Sequence, residues 1–255
     1  MAATASPKPK KVRLDQLLVD RGLVESRTRA QALVMAGNVY SDTKRLDKPG
    51  TKIPDNVPLE VKGRDHPWVS RGGLKLAHGL DRFEIDPSGF TVIDVGASTG
   101  GFTDVLLTKG AAKVYAVDVG HGQLAWKIRQ DERVAVLERT NARYLTVEHI
   151  PDPVDMVVCD ASFIGLRTVL PAAMACVKPG GHMIALIKPQ FEVGKERVGK
   201  GGVVRDPELH LEVCAMIEDW LNGAPDWLVL GITESPIKGP EGNIEFLIGA
   251  QKSGT

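Results

Sequence analysis

Two carboxylates and a glycine-rich turn carry the first sign of chemistry in this 255-residue chain. In the segment VIDVGASTGGFTDVLL, residues 92–107, an apolar run contains Asp94, glycines follow, and apolar residues then recur at helical spacing. Asp118 ends the next apolar run, 24 residues after Asp94. An acid at such a strand end can accept hydrogen bonds from a bound ribose. The spacing therefore predicts a strand, a ligand-binding turn and a helix.

The glycine turn is compatible with three kinds of ligand site, which its residues distinguish in part. A P-loop needs Gly-Lys-Ser/Thr, and GASTGGF contains no lysine, so a nucleoside triphosphate site is disfavoured. A dinucleotide fingerprint opens with two glycines one residue apart, whereas three residues separate Gly96 from Gly100. The acid Asp118 suits both NAD and S-adenosylmethionine. The carboxylate of Asp94 favours S-adenosylmethionine, because that molecule is cationic at its methionine end whereas a pyrophosphate would be repelled.

Strand and helix patterns alternate from Phe90 onward and provide the elements that position these residues. Strand patterns occur in TVIDVG, KVYAVDVG, VAVLERT, DMVVCD, HMIALIKP, WLVLGITESP and IEFLIGA, and helices are predicted to end near Lys109, Arg129 and Val177. Such alternation predicts an α/β fold with an open, doubly wound, mostly parallel sheet. Ligands of these sheets bind at the carboxyl ends of the strands. Four candidate residues fall at such ends: Asp94, Asp118, Asp160 and Lys188.

Charge is distributed unevenly along a chain whose formal net charge is zero. Up to Lys75 there are 15 Lys and Arg residues against 8 Asp and Glu, a net +7, whereas the remainder carries 17 against 24, a net −7. A basic front is typical of a module that binds a polyanion, although a solvated surface gives the same count.

The cysteines, the histidines and the apolar runs indicate what kind of protein to expect. Cys159, Cys176 and Cys214 are widely spaced without a C-x-x-C pair, and the six histidines are scattered, so we expect neither a disulfide framework nor a metal site. The first residues contain no apolar signal-peptide core, and nowhere do 18 apolar residues run together. We therefore expect a cytoplasmic protein that does not enter a membrane.

The segment 12–62 predicts a small unit of two helices followed by strands. Leu14 and Leu18 share one face of a helix closed by Gly22, and Ser26 caps a second helix whose arginines point outward. The runs NVYS and PLEVK have strand character and flank a polar loop, DTKRLDKPG. This arrangement resembles the S-four (S4) RNA-binding domain. The resemblance implies contact with the shape and backbone of folded RNA through five residues: Arg13, Arg27, Arg29, Lys44 and Arg45.

Composition divides the chain into four predicted parts. Residues 1–11 form a flexible basic arm, 12–62 the S-four domain, 63–73 a linker, and 74–255 the second domain. The linker GRDHPWVSRGG is too short to be a floppy tether. Its Trp68 can either stiffen the joint between the domains or simply pack on one of them.

The second domain resembles the Rossmann-like class I methyltransferases through DVGASTGGF and VYAVDVG. That resemblance implies S-adenosylmethionine as the methyl donor. It also implies that Asp118 holds the ribose and that NARYL supplies the adenine edge through Asn141 or Ala142. The methionine end would be lined by five residues: Asp94, Gly96, Ser98, Gly100 and Phe102.

Candidate methyl acceptors require different catalytic residues. Methylation of a pyrimidine carbon needs a cysteine nucleophile, and Cys159 lies in an apolar strand pattern typical of a core. Methylation of an exocyclic amine usually uses Asp/Asn-Pro-Pro-Tyr/Phe, whereas the matching segment here is DASF. A ribose hydroxyl must lose a strongly held proton, which a desolvated lysine can accept. Lys188 ends an apolar strand, and the following Pro189 keeps it extended toward the cleft.

The segments RGGLKL, VDVGHGQLAW, LERTNAR, DASFI, KPQFEVG, GGVVRDP and GPEGNIEF resemble the TlyA family, also called hemolysin A, over nearly the whole chain. In that family an S-four domain is fused to an FtsJ-like methyltransferase that modifies cytidine 2′-hydroxyls of ribosomal RNA. The resemblance implies a catalytic set of Lys75, Asp160, Lys188 and Glu245. Pro67 departs from some members, and the short end GAQKSGT resembles the subgroup acting on large-subunit RNA, which leaves small-subunit activity open.

The catalytic set suggests a division of roles, with two competing interpretations of the chain. Lys188 would act as the base or stabilise the oxyanion, Asp160 would hold Lys188, and Lys75 with Glu245 would orient the acceptor hydroxyl. Four such charges can also form a structural ion-pair network. The first alternative function is a ribosome-associated RNA-binding protein whose cofactor fold is catalytically inactive, which the intact set of four argues against. The second is a pore-forming hemolysin, which no spanning segment or amphipathic repeat supports.

Overall fold

A computed structural model describes residues 9–24, 26–62, 66–239 and 241–254. Most of the predicted basic arm, residues 1–8, and the first part of the predicted linker, residues 63–65, lie outside the described residues. Among the described helices, none combines the length and the apolar character needed to cross a bilayer.

The N-terminal unit packs two helices against short strands. Its elements are β1 (Lys11–Arg13), α1 (Leu14–Asp20), α2 (Arg27–Met35), β2 (Val39–Ser41), β3 (Lys44–Arg45), β4 (Lys52–Pro54) and β5 (Glu60–Val61). Strand β1 pairs antiparallel with β4, and β2 lies between β3 and β5. Buried Leu14, Leu18, Ala30, Val34 and Val39 form the core of this unit.

Local signals explain where the two helices begin and end. The Ser26 hydroxyl accepts a hydrogen bond of 3.2 Å from the Arg29 backbone N–H, which confirms the predicted cap. Gly22 follows α1 with φ of 63°, a conformation that glycine adopts without strain. Two strands differ from the prediction: β3 lies inside the predicted polar loop, and Lys11, assigned to the arm, lies in β1.

The second unit is built on a seven-stranded sheet in the order β11-β12-β10-β9-β6-β7-β8. The strands are β6 (Thr91–Val95), β7 (Lys113–Val117), β8 (Val134–Leu137), β9 (Val154–Cys159), β10 (Val177–Ile187), β11 (Trp227–Glu234) and β12 (Phe246–Lys252). Strands β6 to β10 pair in parallel, while β12 is antiparallel to both β10 and β11. This architecture confirms the predicted mostly parallel sheet.

Helices cover both faces of this sheet. They are α3 (Gly72–Arg82), α4 (Gly101–Thr108), α5 (Trp126–Arg129), α6 (Leu166–Val169), α7 (Pro171–Ala175), α8 (Pro189–Glu192) and α9 (Pro207–Asn222). Along β6, Val92 packs in one core with Leu106 of α4, while the adjacent Ile93 packs in the other core with Ile217 of α9. Apolar residues on both sides of a strand are expected where a parallel sheet is covered twice.

Two boundaries differ from the sequence prediction. Val177, predicted to end a helix, is the first residue of β10, because the preceding α7 stops at Ala175. Helix α3 begins at Gly72, inside the predicted linker. The Trp68 ring lies against Gly73, where an added Cβ would approach its Cγ to 2.3 Å, and it packs on the core beneath α3. The described end of the linker is thus part of the packed second unit.

Candidate active site

The turn after β6 is held in a shape that only small residues tolerate. Gly96, Ser98 and Gly100 have φ values of 81°, 48° and 93°. An added Cβ at Gly96 would lie 2.9 Å from the Ala161 Cα, so glycine lets the ends of β6 and β9 approach closely. Helix α4 starts directly after Gly100. The turn therefore exposes backbone at the carboxyl edge of the sheet, where ligands of such folds bind.

Asp118 stands at the end of β7 and faces the same edge. Its Oδ2 accepts a hydrogen bond of 2.9 Å from the Ser98 backbone N–H, and its Oδ1 accepts one of 2.7 Å from the Gly120 backbone N–H. Each carboxylate oxygen has a further lone pair, so both can still accept a hydrogen bond from a ligand hydroxyl. Asp118 thus links the turn to the ligand cleft.

Asp94 lies beneath the turn and is fully buried. Its Oδ2 accepts a hydrogen bond of 2.6 Å from the Thr103 hydroxyl, while its buried Oδ1 has no hydrogen-bond partner among the described residues. Burial raises the pKa of Asp94 to about 7, against the hydrogen bond from Thr103, and the charges of Asp160 and Asp118 add to the rise. An unsatisfied carboxylate oxygen of this kind suits a ligand with a cationic group nearby.

A cleft of about 770 Å³ opens beside the turn, a volume typical of small-molecule sites. Predicted cofactor residues that line it are Gly96, Ser98, Asp118, Asn141 and Ala142. The Asn141 side chain accepts a hydrogen bond of 3.1 Å from the Arg143 backbone N–H and so starts the short 3-10 helix 142–144. Carboxylate, amide and exposed backbone groups in one cleft match the polar groups of a nucleoside with a cationic end.

Two other predicted cofactor residues lie outside this cleft wall. The Phe102 ring is buried in the core under α4, although the residue also lines a smaller adjoining pocket. Gly100 packs against Leu124 and Ile128, where an added Cβ would approach the Leu124 side chain to 2.9 Å. Both residues support the turn from behind.

The four predicted catalytic residues come together at the carboxyl end of the sheet. The Lys188 Nζ lies 2.5 Å from Asp160 Oδ1, and the Lys75 Nζ lies 3.7 Å from Asp160 Oδ2. On its other side Lys75 donates a hydrogen bond of 2.6 Å to Glu245 Oε2. The result is a continuous chain of alternating charges, Lys188, Asp160, Lys75 and Glu245.

Burial makes this charged chain costly unless it is fully paired. The side chains of Lys75, Lys188 and Glu245 are 6%, 7% and 1% exposed, whereas Asp160 keeps 21% of its side chain exposed. Charges removed from water need close partners of opposite sign. Of these four charged residues, Asp160 is therefore the one most accessible to solvent and to a ligand.

The 770 Å³ cleft and the chain of alternating charges share a wall. A pocket of about 210 Å³ is lined by three of the predicted catalytic residues, Lys75, Asp160 and Lys188, together with the glycine turn. Gly96, Ser98 and Asp160 line both this pocket and the larger cleft. A group carried in the cleft and an acceptor in the pocket would thus meet beside Lys188.

Several residues of the site were not identified from the sequence. Ser162 accepts a hydrogen bond of 3.0 Å from Lys188, and Phe163 beside it is 90% exposed at φ of 65°, an open ring on which a base can stack. Ser70 and Arg71 line the small pocket. The sequence feature that could have identified Ser162 is its position two residues after Asp160, in the segment DASF.

The basic residues predicted for the N-terminal unit fall into two groups. Arg13 donates hydrogen bonds of 2.9 and 2.8 Å to the buried Asp15, and Arg27 donates one of 3.1 Å to the same carboxylate. The Arg13 guanidinium beside Asp15 holds the pKa of that carboxyl well below its usual range. Arg29 and Lys44 are exposed, and the Arg45 guanidinium packs across Gly37 after α2.

Burial makes the thiol of Cys159 unreactive. The thiol is fully buried in β9, and burial raises its pKa to about 12. A thiol of this kind stays protonated at neutral pH and is not a nucleophile. Within the described ranges, no cluster of three or more His, Cys, Asp or Glu side chains is arranged to hold a metal ion.

Comparison with known proteins identifies the two domains of the chain. The FtsJ-like methyltransferase family matches residues 68–252, and the S4 domain family matches residues 12–57. A Bacillus subtilis protein provisionally named rRNA methyltransferase YqxC is 51% identical over 240 residues, which cover 94% of this chain and 85% of that protein. The 16S/23S rRNA (cytidine-2'-O)-methyltransferase TlyA of Mycobacterium tuberculosis is 48% identical, covering 94% and 89%.

A solved structure gives the same result in three dimensions. It is that of a Streptococcus thermophilus protein provisionally named a hemolysin, with a TM-score of 0.75, 44% identity, and coverage of 97% of this chain and 90% of that one. The predicted resemblance to the TlyA family is confirmed. The chain belongs to the FtsJ-like methyltransferase family and carries an S4 domain ahead of its methyltransferase domain.

Proposed function

We propose that this chain is an S-adenosylmethionine-dependent methyltransferase that modifies a cytidine ribose 2′-hydroxyl in large-subunit ribosomal RNA, with small-subunit RNA as an alternative acceptor. The observation that carries the proposal is the Lys188–Asp160 ion pair of 2.5 Å, set where the cofactor cleft meets the small pocket. The similarity to TlyA, which is named for this reaction, supports the choice of acceptor.

S-adenosylmethionine, when bound, supplies a methyl group already activated by its sulfonium. The protein must then align the acceptor oxygen and manage its proton. Asp118 would hold the ribose of the cofactor, and Asp94 beneath the turn would favour its cationic methionine end once the carboxyl loses its proton. Gly96 and Ser98 would provide backbone contact, while Asn141 and Ala142 would border the adenine.

Lys188 would receive the proton of the 2′-hydroxyl or stabilise the developing oxyanion. Asp160 fixes the position of Lys188 and reaches toward Lys75 at 3.7 Å. The buried pair of Lys75 and Glu245 would orient the acceptor from the other side of the pocket. Lys188 and Lys75 lie on either side of the Asp160 carboxylate, and both line the small pocket, where two cationic groups would suit a developing negative charge.

A ribose hydroxyl is a better acceptor for this site than a base carbon. Carbon methylation of a pyrimidine would need a thiolate, and burial raises the pKa of Cys159 to about 12. The segment DASF offers the exposed ring of Phe163 and no proline pair at the cleft. The ring would stack on the acceptor's base while its ribose turns toward Lys188.

The S4 domain would deliver the RNA. Arg29 and Lys44 are exposed, and Arg13 and Arg27 stay about half exposed although each is hydrogen-bonded to Asp15. Guanidinium groups fixed by one carboxylate keep further N–H donors for phosphate. We place this activity in the cytoplasm, where ribosomal RNA is available and the three free cysteines stay reduced.

Methyl transfer with purified components tests the proposal. Protein would be incubated with methyl-tritiated S-adenosylmethionine and with isolated large or small ribosomal subunits, and the RNA would be digested to nucleosides. We expect label in 2′-O-methylcytidine from the large subunit. Label in a base, or no label from either subunit, would contradict the proposed reaction.

A further inference from the structure

The ammonium of Lys188 has three oxygen atoms close to it. Asp160 Oδ1 lies 2.5 Å away, the Ser162 hydroxyl accepts a hydrogen bond of 3.0 Å, and the Asp160 main-chain oxygen accepts one of 3.2 Å. Three oxygens therefore surround the ammonium before any acceptor arrives, two of them as hydrogen-bond acceptors and Asp160 Oδ1 as an ion-pair partner. An acceptor hydroxyl that binds at either hydrogen-bonded donor must take the place of Ser162 or of the Asp160 main-chain oxygen.

The three partners differ in how readily they can give way. The Asp160 main chain is fixed, because its N–H donates a hydrogen bond of 3.0 Å to Val95 at the end of β6. The Asp160 carboxylate carries the ion pair with Lys188 and also faces Lys75. Ser162 is exposed, and its neutral hydroxyl turns about a single side-chain bond.

The position of Ser162 is that of a partner which an incoming acceptor hydroxyl can replace. It lines both the 770 Å³ cofactor cleft and the 210 Å³ pocket, so it stands where donor and acceptor would meet. It is also the partner that draws Lys188 away from Asp160, since the two other partners belong to Asp160 itself. With Asp160 alone, the ammonium would be held from one side.

We infer that Ser162 is a positioning residue: its hydroxyl keeps one donor of Lys188 aimed at the junction of cleft and pocket until the acceptor hydroxyl replaces it. The inference rests on the proposed function for its effect on turnover. The hydrogen bond itself is independent of that function, which allows the two to be tested separately.

The first test separates turnover from binding. Ser162→Ala should lower kcat about tenfold, the scale of losing one hydrogen bond to a charged group, while KM for ribosomal subunits and the Kd of S-adenosylmethionine change less than about twofold. Ser162→Thr keeps the hydroxyl and should restore kcat to within about threefold of the parent. Ser88→Ala removes an exposed hydroxyl that precedes β6, at the end of that strand opposite the glycine turn; it is the matched control and should behave as the parent.

The second test does not depend on methyl transfer. Limited acetylation of the folded protein, followed by peptide mass spectrometry, measures how fast Lys188 is modified. An ammonium with one partner fewer should react at least about threefold faster in Ser162→Ala and at the parent rate in Ser162→Thr.

These outcomes test the positioning role of Ser162 separately from the proposed methyl transfer. Unchanged kcat and unchanged Lys188 labelling in Ser162→Ala would overturn the inference, as would a Ser162→Thr variant as slow as alanine. A loss confined to cofactor affinity would also overturn it, because Ser162 would then only line the cleft. If the parent transfers no methyl group but Lys188 labelling responds to Ser162, the proposed function fails and the positioning role stands.

Discussion

Lys75 and Glu245 lie 170 residues apart in the chain, yet their Nζ and Oε2 atoms are 2.6 Å apart. Lys75 is on the first helix of the methyltransferase domain, and Glu245 directly precedes its last strand, which lies between β10 and β11 in the sheet. Both side chains are almost completely buried. The chain of alternating charges that we propose to be catalytic therefore depends on closure of the whole domain and not on any one segment.

Replacing Lys188 should abolish turnover and spare binding. We expect Lys188→Ala to cut methyl transfer by about 10² or more, the usual scale for losing a general base, with cofactor and RNA affinity largely retained. Lys188→Arg should fail as well, because arginine does not give up its proton. Methyl-transfer assays with ribosomal subunits, and cofactor calorimetry on the same preparations, measure both properties. Near-normal turnover in Lys188→Arg would remove the base role.

Asp118 should matter for cofactor affinity. Asp118→Ala removes the acceptor that we assign to the ribose and also frees the backbone N–H groups of Ser98 and Gly120. We expect binding of S-adenosylmethionine to weaken by at least about 1 kcal/mol in calorimetry, the scale of a hydrogen bond to a charged group. Asp131→Ala, which removes a partly exposed acid paired with Arg133, is the matched control. Unchanged affinity in Asp118→Ala would refute the ribose assignment.

Asp94 should make folding stability depend on pH. Burial raises its pKa from 3.8 to about 7, so the protonated form is favoured in the folded state. Its contribution is fully present below about pH 4 and is lost as pH rises through 7. Relative to Asp94→Asn, the parent should lose on the order of 3 kcal/mol between pH 4 and pH 8.

Thermal unfolding of parent and Asp94→Asn across this pH range measures that difference. The variant should gain most in Tm over the parent at pH 8 and least near pH 4, since an amide cannot ionise. A constant difference in Tm at every pH would show that Asp94 does not titrate in this window. The same variant should bind S-adenosylmethionine more weakly at pH 8, because it lacks the carboxylate charge.

The S4 domain should bind RNA mainly through backbone charge. Arg27→Ala with Arg29→Ala should weaken binding to ribosomal RNA and reduce the slope of log affinity against log salt by about one for each phosphate that is no longer neutralised. Lys109→Ala with Lys178→Ala removes two charges that are paired on the methyltransferase domain and is the matched control. If the arginine variant kept both its affinity and its slope, α2 would not be the contact surface.

The features that could be predicted from the sequence are those that depend on residues close together in the chain. The turn at Gly96, the acids Asp94 and Asp118, and the cap at Ser26 each depend on neighbours in the chain, and their patterns were sufficient. Lys188 was found because it ends an apolar strand. The choice of Lys75 and Glu245 as its companions came from the family resemblance, because nothing local relates residues so far apart.

The remaining features arise from packing that no local pattern records. Ser162 acquires its role by meeting Lys188 across two strand ends. Asp15 in the first turn of α1 has the pattern of an exposed acid at a helix start, yet it is buried under Arg13 and Arg27. Strand β3 has no apolar alternation, and pairing with β2 makes it a strand.

Mapping ribose methylation in cells shows directly whether this protein methylates ribosomal RNA. Ribosomal RNA would be compared from cells with the intact gene, without it, and with the Lys188→Ala form, using mass spectrometry of nuclease fragments to locate 2′-O-methylcytidine. We predict at least one cytidine in large-subunit RNA whose 2′-O-methyl group is present only with the intact gene. Identical methylation in all three strains would contradict the assignment of this chain as a ribosomal RNA 2′-O-methyltransferase.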